Sequence, residues 1–187
     1  QRLRKGSCGS PRGAKRLVGD AVKQARRLLG VKAPVLVRMD SAYYGRDAVH
    51  AAITGGAHVS VTVRATSPVK AAIAGIDDGA WTTIEYPDAI FDEMSGAWIS
   101  KAEVAEIDFV AFTGRRKAEH VPCRLVVRRV RRLGPSGHGN DQGELFASYR
   151  HHAFITNSTL DTVAADARHR DHAIVEQVIA ELKDGPL

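Results

Sequence analysis

The spacing of apolar residues changes several times along the chain, and each change marks an element. In residues 11–30, Leu17, Val18, Ala21, Val22, Ala25, Leu28 and Leu29 recur at helical spacing, and Lys15, Arg16, Lys23, Arg26 and Arg27 take the other face. Gly30 stops this helix, and the glycine- and serine-rich stretch from Gly6 to Gly13 reads as loop. Pro34 then opens a short apolar run, residues 34–39, that reads as a strand and ends on Asp40. Residues 46–54 read as a short helix closing at Gly55-Gly56, and residues 58–64 alternate as a second strand. Strand, helix and strand in so short a span predict a βαβ unit with parallel neighbouring strands.

From about Ser67 the period becomes that of strands. Residues 81–86, 104–112 and 121–130 read as strands divided by turn-rich or charged linkers. No helix of useful length separates the last two, which predicts an antiparallel arrangement. Residues 133–144 form a loop of low hydrophobicity, and residues 151–157 return as a strand. A helix then starts near Thr159–Asp161. A second, amphipathic one spans 168–183, with Ile174, Val175, Val178, Ile179 and Leu182 as its buried stripe. The expected fold class is α/β. Residues 1–66 would form part of a core, 67–148 an inserted, mostly antiparallel β-rich domain, and 149–187 the return to the core.

A length of 187 residues suffices for one sizeable core, or a core with an inserted module. Cys8 and Cys123 stand far apart without a C-x-x-C partner, which gives no basis for a zinc site or a disulfide framework and suits a reducing cytoplasm. No apolar run approaches the roughly 20 residues that span a bilayer, so no membrane partner is expected. Nucleotide-binding glycine motifs are absent. The net charge of +6 and pI near 9.6 suggest polyanionic partners. The charge is also blocked. Residues 1–33 hold ten Lys or Arg against Asp20, residues 85–108 seven acids against Lys101, and residues 114–133 eight basic residues against Glu119. Gln1 in place of Met, and a last helix running almost to Leu187, lead us to expect part of a longer protein.

Two places carry candidate chemistry. An unpaired carboxylate is costly inside a sheet, so Asp40 at the end of its strand either faces a ligand crevice or caps the following turn. Near the C-terminus, His169, His172, Glu176 and Lys183 are separated by three, four and seven residues, which places them on one side of a helix. Glu176 borders the buried stripe beside Val175, where a carboxylate needs a partner or a metal. An exposed, salt-bridged helix face fits the same spacing.

Taken in this order, the chain resembles the later part of a bacterial insertion-sequence transposase of the DDE type, a family with a ribonuclease H-like catalytic core and an inserted β domain. Asp40, within Arg38-Met-Asp-Ser-Ala-Tyr-Tyr-Gly45, resembles that family's second catalytic aspartate. The C-terminal helix resembles its Tyr-Arg-Glu-Lys signature. Glu176 and Lys183 match the last two positions, while His169 and His172 stand at the Tyr and Arg positions and Arg170 lies one residue off. The resemblance spans nearly the whole chain. The family's first aspartate would lie on a strand upstream of Gln1, since Asp20 sits in a basic helix.

The resemblance implies cutting and joining of insertion-sequence ends by phosphodiester hydrolysis and strand transfer. Two Mg²⁺ or Mn²⁺ ions roughly 3.5–4 Å apart would be held by hard oxygen ligands, Asp40 and Glu176 among them. Lys183 would hold a phosphate near the scissile bond, with His172, His169 and Arg170 as further DNA contacts. Arg128, Arg129, Arg131 and Arg132, with Arg115, Arg116 and Lys117, would add salt-sensitive backbone affinity. Trp81 and Trp98 would support the fold or stack on an extruded base, and Tyr43 and Tyr44 would pack beside the site. The implied partners are double-stranded DNA at transposon ends and target, and a second copy as a homodimer on DNA, in the bacterial cytoplasm at the nucleoid. The alternatives are a metal-dependent nuclease of the same fold and a catalytically inactive DNA-binding remnant.

Overall fold

The strand-forming runs join into one sheet. The computed structural model describes residues 11–92, 97–131 and 149–171, with the backbone alone for 86–92, 97–101 and 131. Its strands are β1 (Leu36–Met39), β2 (His58–Thr62), β3 (Thr82–Asp92), β4 (Ala97–Ala111), β5 (Val121–Arg131) and β6 (Tyr149–Thr156). Their order across the sheet is β1-β2-β6-β5-β4-β3. The α-helices of the described residues are α1 (Ala14–Leu29), α2 (Arg46–Thr54), α3 (Ser67–Ala74) and α4 (Thr162–Arg170). The protein is therefore of mixed α/β class with a six-stranded mixed sheet.

β1 and β2 run parallel, with Leu36 opposite His58, and α2 connects them as a βαβ unit requires. All other pairings are antiparallel. β6 is last in the chain but enters the middle of the sheet, pairing β2 on one side and β5 on the other. The strands read as an insertion, β3 to β5, thus continue the sheet that β1 and β2 begin.

Alternation along the strands separates two faces. On one, Val59, Val61, Leu125, Val127 and Ile155 pack with Val22 of α1, Val49 and Ala52 of α2 and Val69 of α3. On the other, Val126 and Phe154 meet Ala165 of α4, and Ile84, Ala102, Val104 and Val130 form a separate cluster toward β3. α1 and α2 approach closely because Gly55 ends α2. A Cβ there would lie 2.7 Å from a methyl of Val22. Arg26 of α1 reinforces the contact by donating to the Gly56 and Ala33 carbonyls.

Two elements differ from the sequence reading. Residues 67–74, assigned to the strand-rich stretch, form α3, with Pro68 in the first turn, where a missing N–H leaves nothing unsatisfied. Its eight residues bury only Val69 deeply, too little for a sustained helical period to show. In α1 the predicted apolar stripe is only partly used. Val22 is buried against Gly55 of the α2 C-terminus, whereas Leu17, Leu28 and Leu29 stay 57%, 84% and 65% exposed.

Leu125 is fully buried at the sheet centre, between β4 and β6. Leu125→Ala should cost about 2–5 kcal/mol, read as a lower urea midpoint with an unchanged slope.

Candidate functional site

β1 ends at Met39, and Asp40 turns the chain into a single 3₁₀ turn, Ser41–Tyr43. Asp40 Oδ1 accepts the backbone N–H of Ala42 at 2.8 Å and of Tyr43 at 3.3 Å. The capping role that the sequence left open is therefore realised. Both bonds fall on one oxygen, and among the described residues Oδ2 accepts none. One oxygen organises the turn while the other faces solvent at the carboxyl end of a parallel strand. The capping and ligand-binding readings are compatible in a single side chain.

A groove of about 300 Å³ lies beside this carboxylate, between α1 and β1, with Leu17, Ala21, Met39 and Tyr43 among its walls. Beyond the turn, Tyr44 stacks on Phe112 with ring centroids 5.0 Å apart. Phe112 holds a left-handed backbone (φ +64°), a costly state for a bulky residue that this packing helps to fix. Burial pushes the Cys123 thiol up to about 11. The same cause, aided by the nearby thiol, raises the phenol of Tyr44. At neutral pH Tyr44 is a protonated packing residue.

The opposite face of the sheet carries polar groups, and α4 is fastened to them. Asp161 caps α4 by accepting the Ala164 N–H at 2.8 Å. Arg124 donates to Glu106 at 2.5 Å and to the Ser158 and Leu160 carbonyls, both at 2.7 Å, and Thr162 donates to the same Glu106. One turn on, Asp166 is only 1% exposed and lies between Arg170 at 2.8 Å and Arg128 at 3.4 Å. In the last turn His169 meets Ser60 and Thr62 of β2, and the Arg168 carbonyl accepts from Arg38 of β1 at 2.7 Å.

Several basic residues expected to face phosphate are engaged within the protein. Arg128 and Arg170 share Asp166. Arg129 donates to both oxygens of Glu103, at 2.8 and 3.2 Å, and its guanidinium lies 4.1 Å from the Trp81 ring centre and 4.5 Å from that of Tyr149. The Glu103 bond, first among several causes, raises the pKa of Arg129. His151 moves the other way, through burial and then the charge of Arg129. Trp81 therefore takes the fold-supporting role. Arg115 pairs with Glu119 at 3.5 Å, while Arg116 and Lys117 are exposed.

Arg132, His172, Glu176 and Lys183 lie outside the described residues, as do the side chains of Arg131 and Trp98. The sequence reading opened a new helix at residue 168, whereas His169 and Arg170 close α4 and Asp171 is in a turn. Among the described residues, no group of three or more His, Cys, Asp or Glu is placed to hold a metal ion. Asp40 offers one hard oxygen ligand, so a divalent site would need further carboxylates, for which Glu176 is the candidate. No helix of the described residues is long and apolar enough to cross a membrane.

Sequence reasoning missed Ser60, Thr62, Arg38 and Asp166. Asp166 and Arg170 do stand at the i,i+4 spacing of a helical ion pair. Ser60 and Thr62 are the polar positions of the alternation in β2, which in sequence look like an ordinary polar face and give no sign of the partner they meet.

Asp166→Ala would leave Arg128 and Arg170 without their shared anion and should destabilise the fold by about 3–5 kcal/mol in urea unfolding. The Cys123 thiol should resist iodoacetamide at pH 8 in the folded protein and react once urea unfolds it, followed by mass spectrometry of its peptide. No known protein-family model matches the chain, and no curated protein matches it.

Proposed function

We propose that this chain is the later part of a DNA transposase of the DDE type, with a ribonuclease H-like catalytic core in which Asp40 and Glu176 are acidic ligands. One observation carries this reading. The solvent-facing Asp40 sits where β1 ends, and two residues before it Arg38 binds the Arg168 carbonyl in the last turn of α4. The segment bearing Glu176 therefore departs from beside the strand bearing Asp40. In this reading Glu176, five residues beyond the described end of the chain at Asp171, would reach Asp40 from that side.

Two divalent metal ions bound by such carboxylates would activate the attacking oxygen and stabilise the leaving one. Asp40 contributes an oxygen already oriented by its turn, which removes a side-chain rotation from the cost of assembling the site. Arg116 and Lys117 add charge at an exposed hairpin for duplex DNA. Lys183 and His172 follow on the Glu176 segment as phosphate contacts. A further aspartate upstream of Gln1, a second copy of the protein on DNA and a cytoplasmic, nucleoid-associated location complete the reading.

The test is Asp40→Asn in the full-length protein. Asn keeps the acceptor that caps the turn and removes the negative charge. Metal-dependent cleavage and joining of transposon-end DNA should fall to background, while salt-sensitive DNA binding survives. Retained cleavage would refute the assignment. Nicked products without joined ones from the unmodified protein would identify a nuclease, and binding without any metal-dependent reaction a remnant.

A further inference from the structure

We propose that the pocket between α3, the C-terminal part of β5 and the start of β6 binds a small organic anion, a phosphate or carboxylate head on an apolar body. The pocket has a volume of about 590 Å³, within the range of small-molecule sites, and the inference stands apart from the catalytic reading given above. Its apolar wall is formed by Ile73, Ile76 and Trp81, which are part-buried and packed against the main core. Among the described residues the lining sets Lys70, Arg129 and Arg150 against a lone acid, Asp78. Burial, and then the charge of Arg129, hold the pKa of His151 below its ordinary value, so that ring adds no charge at neutral pH.

Arg129 is held so that one edge of its guanidinium stays open. Nε and one N–H of Nη2 donate to the two oxygens of Glu103, at 2.8 and 3.2 Å. The ring centres of Trp81 and Tyr149 lie 4.1 and 4.5 Å from the guanidinium carbon. Nη1 makes no hydrogen bond among the described residues, and Asp78 Oδ1, 3.9 Å from it, is too far to accept one. A guanidinium carries five N–H donors, so those of Nη1 and the second of Nη2 remain for an oxyanion. Because Glu103 and the two rings already fix the group, binding costs little further side-chain freedom. Glu103 also offsets the charge of Arg129, which leaves Lys70 as the source of net attraction. Lys70 is exposed and has no ion-pair or hydrogen-bond partner among the described residues. The directional donors and the free cation thus border the same apolar wall, an arrangement that suits a head group joined to a hydrophobic body better than a bare ion.

Isothermal titration calorimetry of the full-length protein with phenyl phosphate and with benzoate tests the site. One or both should bind saturably, and phenol, which keeps the ring without the anion, should not. Lys70→Gln should lower the affinity about tenfold, the worth of a charge-assisted contact. Asp78→Asn, which removes the opposing charge, should raise it about twofold. Both side chains are exposed, so neither change disturbs the fold. Failure of both anions to bind, an affinity unaltered by Lys70→Gln, or one lowered by Asp78→Asn would overturn the proposal. So would inorganic phosphate binding as tightly as phenyl phosphate, since the apolar wall would then contribute nothing. Displacement of the bound anion by a short DNA duplex, itself weakened by Lys70→Gln, would assign the pocket to nucleic acid and overturn it as well.

Discussion

Everything in this fold depends on one strand reaching its place between two others. β6 is made last among the described strands, yet it supplies the hydrogen bonds that join the parallel pair β1–β2 to the antiparallel run β5-β4-β3. Its partner β2 is some ninety residues earlier in the chain, so the loop-closure cost precedes the reward. The junction is reinforced by side chains. Thr156 Oγ1 donates to the Val59 carbonyl at 2.7 Å, and Asn157 Oδ1 accepts the Val59 N–H at 2.8 Å. These bonds serve the backbone groups of β2 where strand pairing alone leaves them unmet.

The two faces of the sheet are held by different physics. On the side of α1, α2 and α3, burial of β-branched residues dominates and needs little geometric precision. On the side of α4 the buried apolar cluster of the described residues is Val126, Phe154 and Ala165, and the helix is located by directional bonds at both ends. Hydrophobic contact tolerates sliding, whereas charge-assisted bonds at 2.5–2.8 Å do not. α4 is therefore held in register with the sheet by its polar bonds more than by its apolar contact.

Much of the architecture was readable from residue order. The apolar run ending on Asp40, the helix over residues 46–54 and the alternation from His58 describe local structure, and local spacing carries that information. The parallel pairing of β1 and β2 followed from the short helical connection between them. What stayed hidden was non-local. Nothing in residues 149–156 announces that they pair with β2 as well as β5. The cations near residues 128 and 129 look alike in sequence, and only the fold sets Asp166 against one and Glu103 against the other. At Asp40 the sequence posed two alternatives, and the structure combines the cap with an open oxygen because both cap bonds fall on Oδ1 of a two-oxygen carboxylate.

β1 is the outermost strand of the described sheet, bonded through β2 on one side, and it is only four residues long. Strands held from one side fray at lower free energy than the body of the sheet. The carboxylate at its tip therefore sits at one of the two rims of the described sheet. Warming should loosen the turn at Asp40 while the interior strands stay paired, so order is lost there by a local opening and not by the failure of the core.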